Sequence, residues 1–233
     1  ILYVAIADVA DVVKEETEID KEAFKRGTSI YFPKKVIPML PEKISNDMCS
    51  LVPNQKRNVL VCKIYFDTEA TINTFEFIEG QIKSSQRFTY EEVERFESID
   101  SKISNSISSL RLLTKKLLLK RSKRHALEIE SSEPYIAVND EGELQKISFP
   151  KRLFAHQMIE ESMIAANVCA AKFMKQNFGY GIYRVHEEPE FLKLENLKKF
   201  FQLKGHSGST SSNALDPVSY THLRADETEA DLV

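Results

Sequence analysis

A mixed α/β (α+β) fold is what this sequence predicts, and three stretches carry the prediction. Ile1 to Ala7 is near-continuous apolar sequence ending at Asp8, the pattern of a core strand buried on both faces. Asn58 to Asp67 alternates, with Leu60, Cys62, Ile64 and Phe66 on one face, and Thr71 to Ser85 reads as its antiparallel neighbour with Phe75 and Phe77 on one side. Ala155 to Phe173, AHQMIEESMIAANVCAAKF, reads as a helix with no charged residue between Ser162 and Ala171. A helix apolar on every side is buried, so the expected architecture is β-sheets packed with helices around this central helix.

A chain of 233 residues can bury a sizeable core, as one large domain or two small ones. Hydrophobic residues at 42% and charged residues at 29%, with 14 Phe and no Trp, are ordinary globular composition and exclude a disordered or collagen-like chain. No run approaches about 18 consecutive apolar residues, so no membrane partner is expected. ILYVAIADVA lacks a basic leader and a small-residue cleavage site, so it is read as a strand and not as a signal peptide. The absence of a starting Met leads to the expectation that the chain is a piece of a longer protein. The three cysteines, Cys49, Cys62 and Cys169, are an odd, widely spaced set without CxxC spacing. Reduced, buried thiols in a cytoplasmic protein are expected, with neither disulfide nor zinc site. A formal net charge of -3 gives no global sign of nucleic acid, so any such site has to be local.

The elements follow in order. Asp20 to Arg26 fits a short helix with Asp20 as N-cap and Gly27 as its stop. Thr28 to Phe32 is β-branched and aromatic, a strand ended by Pro33. Pro33, Pro38 and Pro41 are expected to hold FPKKVIPMLPE extended, a path with Tyr31 and Phe32 at its start that can line a groove. Thr89 with Glu92 makes a capping box and Phe88 with Val93 a hydrophobic staple, which puts Tyr90 at the first helical position. Ile99, Ile103, Ile107, Leu110, Leu113 and Leu117 then recur at three and four, predicting one long amphipathic helix to about Lys120. The run KKLLLKRSKR, Lys115 to Arg124, is either a solvated helix end or a phosphate contact. Ala126 to Phe149 reads as strands turning at Asp140-Glu141-Gly142, Gly181 to His186 as a short strand, and Pro189 to Leu203 as a helix. His186 by itself is weak evidence for catalysis or metal binding.

At about 100° per residue, Glu160 shares a stripe of the central helix with Ile164, Asn167 and Ala171. An ionised carboxylate on a burying face needs a partner cation or a polar cleft. The alternative is that Glu160 and Glu161 decorate a solvated first turn, where acids suit the helix dipole. From Lys204 the composition changes to GHSGSTSSN, a flexible linker, and VSYTHLRADET beyond it resembles translated sequencing-adapter sequence. The domain boundaries expected are thus 1–204 for the folded part and 205–233 for a flexible, non-native tail.

Composition and spacing name no reaction. The strings VAIADVADVV, IDKEAFKRGTSIYFPKKVIPMLPEKISNDMCSLVPNQKRNVLVC, RFTYEEV, HQMIEESMIAANVCAAKFM and YRVH resemble, in that order, the RNB catalytic domain of the ribonuclease R and ribonuclease II family. The likeness covers about residues 1 to 200. It implies a 3′-to-5′ exoribonuclease that hydrolyses single-stranded RNA to nucleoside 5′-monophosphates with Mg2+, the intact enzyme being monomeric. In such enzymes metal ions held by aspartates generate the attacking hydroxide, and bases stack on aromatic side chains in the RNA channel. Carried over by position, Tyr90 matches the catalytic tyrosine near the scissile phosphate. Tyr31 matches the tyrosine that contacts the 3′-terminal nucleotide, and Glu160 the glutamate that hydrogen-bonds a ribose hydroxyl, a contact that helps tell RNA from DNA.

There are departures. Ile129 stands near the place of a phenylalanine that stacks on RNA in ribonuclease II. The family's aspartate metal ligands are expected upstream of Ile1 and its catalytic arginine downstream, so no metal ligand is assigned here and the chain alone is expected to be inactive. Asp8 and Asp11 do not match the metal motif, and Asp8 is expected to cap a strand end. The alternative reading is a non-catalytic RNA-binding or regulatory protein that retains the RNB scaffold, and a weaker third is a scaffold for protein partners.

Overall fold

The structure, a computed structural model, describes residues 1–95, 102–124, 134–139, 142–183 and 190–203. Its contacts divide the chain into two units, Ile1–Leu110 with Glu130–Ile159, and Arg111–Ile129 with Glu160–Val233. Helix and strand content is mixed, as the sequence predicts.

In the first unit, β1 (Leu2–Ala7) runs into the single turn α1 (Val9–Val12). Asp8 is the N-cap of that turn, its Oδ1 accepting from the Asp11 N–H at 3.2 Å, so it starts a helix as well as ending a strand. The next helix, α2 (Glu18–Arg26), is capped by Thr17 and not by Asp20. Thr17 Oγ1 accepts from the Asp20 N–H, and Asp20 Oδ2 reaches back to the Glu16 N–H at 3.0 Å, so the two side chains satisfy donors that the helix start leaves open. Gly27 closes the helix in the left-handed region at φ 70°, which costs a residue without Cβ nothing.

The expected extended path after Phe32 is instead a tight hairpin. β2 (Ile30–Tyr31) pairs antiparallel with β3 (Val36–Ile37), and the Phe32 N–H donates to the Lys35 carbonyl at 2.8 Å. Pro33 is the reason: at the second position of a four-residue turn its fixed φ favours reversal as readily as extension. The sequence reading also passed over a π-helical turn at Lys43–Met48, where the Cys49 N–H bonds the Ile44 carbonyl at 2.8 Å and Ile44 is buried.

β4 (Lys56–Phe66) and β5 (Ile72–Lys83) form the expected antiparallel pair, and with β1 they make a three-stranded sheet in the order β1-β4-β5. Val4 faces Cys62, which faces Phe77. Ile64, Cys62 and Val59 of the central strand are buried, while Phe75 and Phe77 meet edge to face at 6.0 Å. β1 is not buried on both faces: Tyr3 is 59% and Ile6 58% exposed. It lies at the edge of the sheet, and because side chains alternate along a strand, Tyr3 and Ile6 stand on opposite faces, neither of which is fully covered. α3 (Tyr90–Glu94) follows, then α4 (Lys102–Lys123). They stand in place of one predicted helix, and Ile99 between them lies outside the described residues. β6 (Tyr135–Val138) and β7 (Leu144–Ser148) pair antiparallel; Asp140 and Glu141 of the predicted turn lie outside the described residues.

α5 (Phe154–Phe178) runs five residues past the predicted end, to a left-handed Gly179. Its buried residues are Ala155, Met158, Glu161, Ser162, Ala165, Ala166, Cys169 and Ala171, and all but Ala171 fall on one helical face. Ile159 and Met163 are 45% and 51% exposed, so the helix is not buried on every side. α6 (Phe191–Leu203) is close to its predicted range, but Gly181–Tyr183 form no strand, and His186, Ile129 and the tail lie outside the described residues. All three cysteines are free; Cys62 and Cys169 are buried as expected but Cys49 only partly, and burial together with nearby Asp8 pushes the Cys49 thiol up. Among the described residues no helix is long and apolar enough to cross a membrane.

Candidate nucleic-acid interface

Tyr90 owes its place to the capping box. The Thr89 N–H donates to Glu92 Oε2 at 2.6 Å and the Glu92 N–H donates to Thr89 Oγ1 at 3.2 Å, so both halves predicted from the sequence are present. The first residue of α3 is then fixed as Tyr90, which is 43% exposed. Its ring stacks on His156 with centroids 4.0 Å apart and planes 17° from parallel. His156 is itself locked. The Leu153 N–H donates to its Nδ1 at 3.1 Å, the reach-back half of a capping box with histidine where glutamate is usual. A ring nitrogen that accepts carries no proton, so the neutral tautomer that fits is the one with its proton on Nε2. Glu94, the last residue of α3, adds a second cap by accepting from the Ala155 N–H at 3.0 Å. Leu153 offers the start of α5 no capping side chain, and these two acceptors serve donors that would otherwise be orphaned.

Tyr31 stands on the β2–β3 hairpin of the same unit and is 76% exposed, with half-exposed Phe32 beside it. The hairpin is tied to the β6–β7 connection by Lys34, whose Nζ donates to the Asn139 carbonyl. An open aromatic on a two-stranded hairpin presents a face on which a base can stack.

Glu160 belongs to the second unit, and of the two expectations for it the partner cation is the one found. Arg121, in the last turn of α4, donates from Nη1 to Glu160 Oε1 at 3.3 Å and to Glu161 Oε1 at 3.1 Å. The Glu161 side chain is 7% exposed, Arg121 24% and Glu160 37%. Burial pushes the Glu161 carboxyl up, against the pull of Arg121 and with a push from Glu160. Burial disfavours the charge on Arg121, but its two carboxylates outweigh that and hold it above its ordinary value. The basic run Lys115 to Arg124 is therefore not simply a solvated helix end.

Sequence reasoning missed His156 and Arg121, and both had a signal. Leu110, Leu113 and Leu117 continue at +4 to Arg121, which puts an arginine on the burying stripe of α4. Met158 continues at +3 to Glu161 on the stripe of α5. His156 lies three residues after a position with no capping side chain, where a reach-back acceptor is wanted.

Among the described residues no group of three or more His, Cys, Asp or Glu side chains is placed to hold a metal ion. Asp8 caps α1, and Asp11 accepts from Asn58 Nδ2 at 2.8 Å and from Lys14. Those bonds, the one to Asn58 foremost, hold Asp11 below the usual carboxylate range. The described residues thus do not fit a metal centre, and no chemical step through one is assigned to them.

A family model described as the RNB domain matches residues 1–230. Ribonuclease R of Escherichia coli is 33% identical over 244 residues, which cover 100% of this chain and 30% of that protein. Ribonuclease R of Vibrio parahaemolyticus is 34% identical over 211 residues, covering 88% of this chain and 25% of that one. Among solved structures, Mycoplasma genitalium RNase R in complex with ribose-methylated single-stranded RNA matches with a TM-score of 0.82 at 33% identity, over 98% of this chain and 37% of that one. The chain thus spans about a quarter to a third of the length of these curated relatives.

Proposed function

This chain belongs to the RNB domain family, and we propose that it forms the RNA-holding part of a ribonuclease R-type exoribonuclease that shortens single-stranded RNA from its 3′ end and releases nucleoside 5′-monophosphates. What supports the reading is the likeness, over nearly the whole chain, to a ribonuclease R solved with single-stranded RNA. Each of the three carried-over residues is also open enough to reach a ligand.

In this reading Tyr31 stacks on the 3′-terminal base from its exposed hairpin. Tyr90, held flat against His156, offers its phenol near the scissile phosphate as an oriented hydrogen-bond donor. Glu160, paired with Arg121, accepts from a ribose hydroxyl, an interaction that deoxyribose lacks at the 2′ position. The cleavage itself is proposed for the whole protein with Mg2+, in the cytoplasm, and the chain alone is proposed to bind RNA without cutting it.

Two measurements test this. Intact gene product incubated with 5′-labelled single-stranded RNA and Mg2+ is expected to give a ladder shortening from the 3′ end and free 5′-monophosphates, both stopped by a chelator. The 233-residue chain is expected to bind the same RNA more tightly than DNA of the same sequence. Internal cuts, 3′-monophosphate products or equal affinity for RNA and DNA would overturn the reading.

A further inference from the structure

We infer that Arg121 is the positioning residue for Glu160, and that Glu161 is the buried counter-charge that keeps Arg121 in place. The inference rests on the reading of Glu160 as the ribose-hydroxyl acceptor and deepens it by naming what sets the strength of that contact.

The geometry is a bridge with one dry and one wet end. A single guanidinium nitrogen, Nη1 of Arg121, meets Oε1 of both carboxylates, at 3.1 Å for Glu161 and 3.3 Å for Glu160. The two ends differ in access to water. Glu161 is nearly sealed at 7% exposure, whereas Glu160 keeps 37% of its side chain open. A glutamate on a helix surface ordinarily samples several rotamers. Here the guanidinium is planar and presents its donors in a fixed fork, so the arginine anchored by Glu161 offers Glu160 one position. The anchor is hard to pull out, because freeing Arg121 would leave a charge or a protonated acid buried at Glu161.

The charges support the same division of labour. α4 contributes Arg121, and Arg124 just past its end acts on Glu161 at longer range; α5 contributes the adjacent Glu160 and Glu161. Two carboxylates side by side repel, and the guanidinium they share offsets that repulsion while the outer one faces solvent. An ionised carboxylate has about four acceptor positions, so a salt bridge through Oε1 does not prevent Glu160 from accepting a hydroxyl as well.

The test uses the full chain and reads the ratio of affinities for single-stranded RNA and single-stranded DNA of one sequence, with a melting curve for every variant. Glu160→Gln is expected to lower the RNA preference roughly tenfold, the size of one hydrogen bond to a charged acceptor. Arg121→Gln is expected to lower it in the same direction, with DNA affinity unchanged and no further loss when combined with Glu160→Gln. Arg121→Lys, which keeps the charge but not the fork, is expected to restore part of the preference. The pair Arg121→Gln with Glu161→Gln removes the uncompensated buried charge and keeps the test available where the single variant does not fold. It is expected to lose RNA preference as Arg121→Gln does. A purely structural role for Arg121 predicts equal losses of RNA and DNA affinity, and that outcome overturns the inference. So does a paired variant that keeps the parental preference while Glu160→Gln loses it, and in that case the role of Glu160 stands. If the unmodified chain shows no RNA preference, the reading of Glu160 and the inference fall together.

Discussion

Replacing Arg121 with Met keeps much of the side chain's bulk and removes its charge, so the cost reports on Glu161. That carboxyl is 7% exposed and already pushed up by burial. Without the guanidinium, the favourable response is to take up a proton. Protonating a carboxyl whose ordinary value is 4.5 costs about 1.36 kcal/mol for each pH unit above it, hence about 3.4 kcal/mol at pH 7 and about 1.4 kcal/mol at pH 5.5. These figures bound the electrostatic loss, and the upper one lies within the range measured when one partner of a buried pair is removed, about 3–5 kcal/mol. The sign follows from linkage. A folded-state value raised above the unfolded one gives stability that is full below about 4.5 and is lost as pH rises through the folded value. The same slope exists in the unmodified chain, and Arg121→Met steepens it. Urea unfolding followed by circular dichroism at both pH values, in low salt, is expected to show about 3 kcal/mol lost at pH 7 and about 1 kcal/mol at pH 5.5. Adding Glu161→Gln is expected to recover most of the loss at pH 7. An equal loss at the two pH values, or a larger one at pH 5.5, would refute the reasoning.

Three further outcomes are expected. Ile64 is fully buried in the central strand, so Ile64→Ala is expected to cost about 2–5 kcal/mol and Ile64→Val about 0.5–1.5 kcal/mol, read as a lower urea midpoint at unchanged slope; an alanine cost under about 1 kcal/mol would mean that the site collapses freely. Thr89→Ala is expected to remove about 1 kcal/mol and to speed hydrogen exchange at Glu92, whose N–H loses its acceptor; unchanged exchange there would count against the cap. His156→Ala and Tyr90→Ala are each expected to weaken single-stranded RNA binding by about 1–3 kcal/mol, because each breaks the stacked pair, and the double variant is expected to lose little more than either alone. Additive losses in that cycle would show that the two rings act separately.

Much of the fold was legible because local chemistry decides it. The capping box at Thr89 and Glu92 involves residues three apart, and the structure forms it as read. Gly27 stops α2 because the left-handed residue that a helix end needs is a local demand. Alternation in Asn58 to Asp67 and the matching Phe75 and Phe77 gave β4, β5 and their pairing, since the period of a strand is fixed at two. Errors fell where two local rules compete. Pro33 suits both an extended path and a turn, and only the pairing of Tyr31 with Val36 selects the turn. The apolar run in Ala155 to Phe173 suggested burial on all sides, yet most of its buried residues share one face and Ile159 and Met163 are half exposed.

The candidate site divides along the same line. Sequence by itself determined the RNB resemblance, the helical start that places Tyr90, the position carried over to Tyr31 and the choice for Glu160 between a partner cation, a polar cleft and a solvated first turn, because each depends on nearby residues. Only the tertiary structure decided that the cation is Arg121, that Glu161 is the buried member of the pair, and that His156 backs Tyr90. Arg121 lies 39 residues from Glu160 along the chain, and His156 sits on a different helix from Tyr90. No local propensity specifies a partner at that distance. The fold brings the Arg121 guanidinium of α4 to the two carboxylates of α5, and the cost of burying an unpaired charge then fixes the pairing.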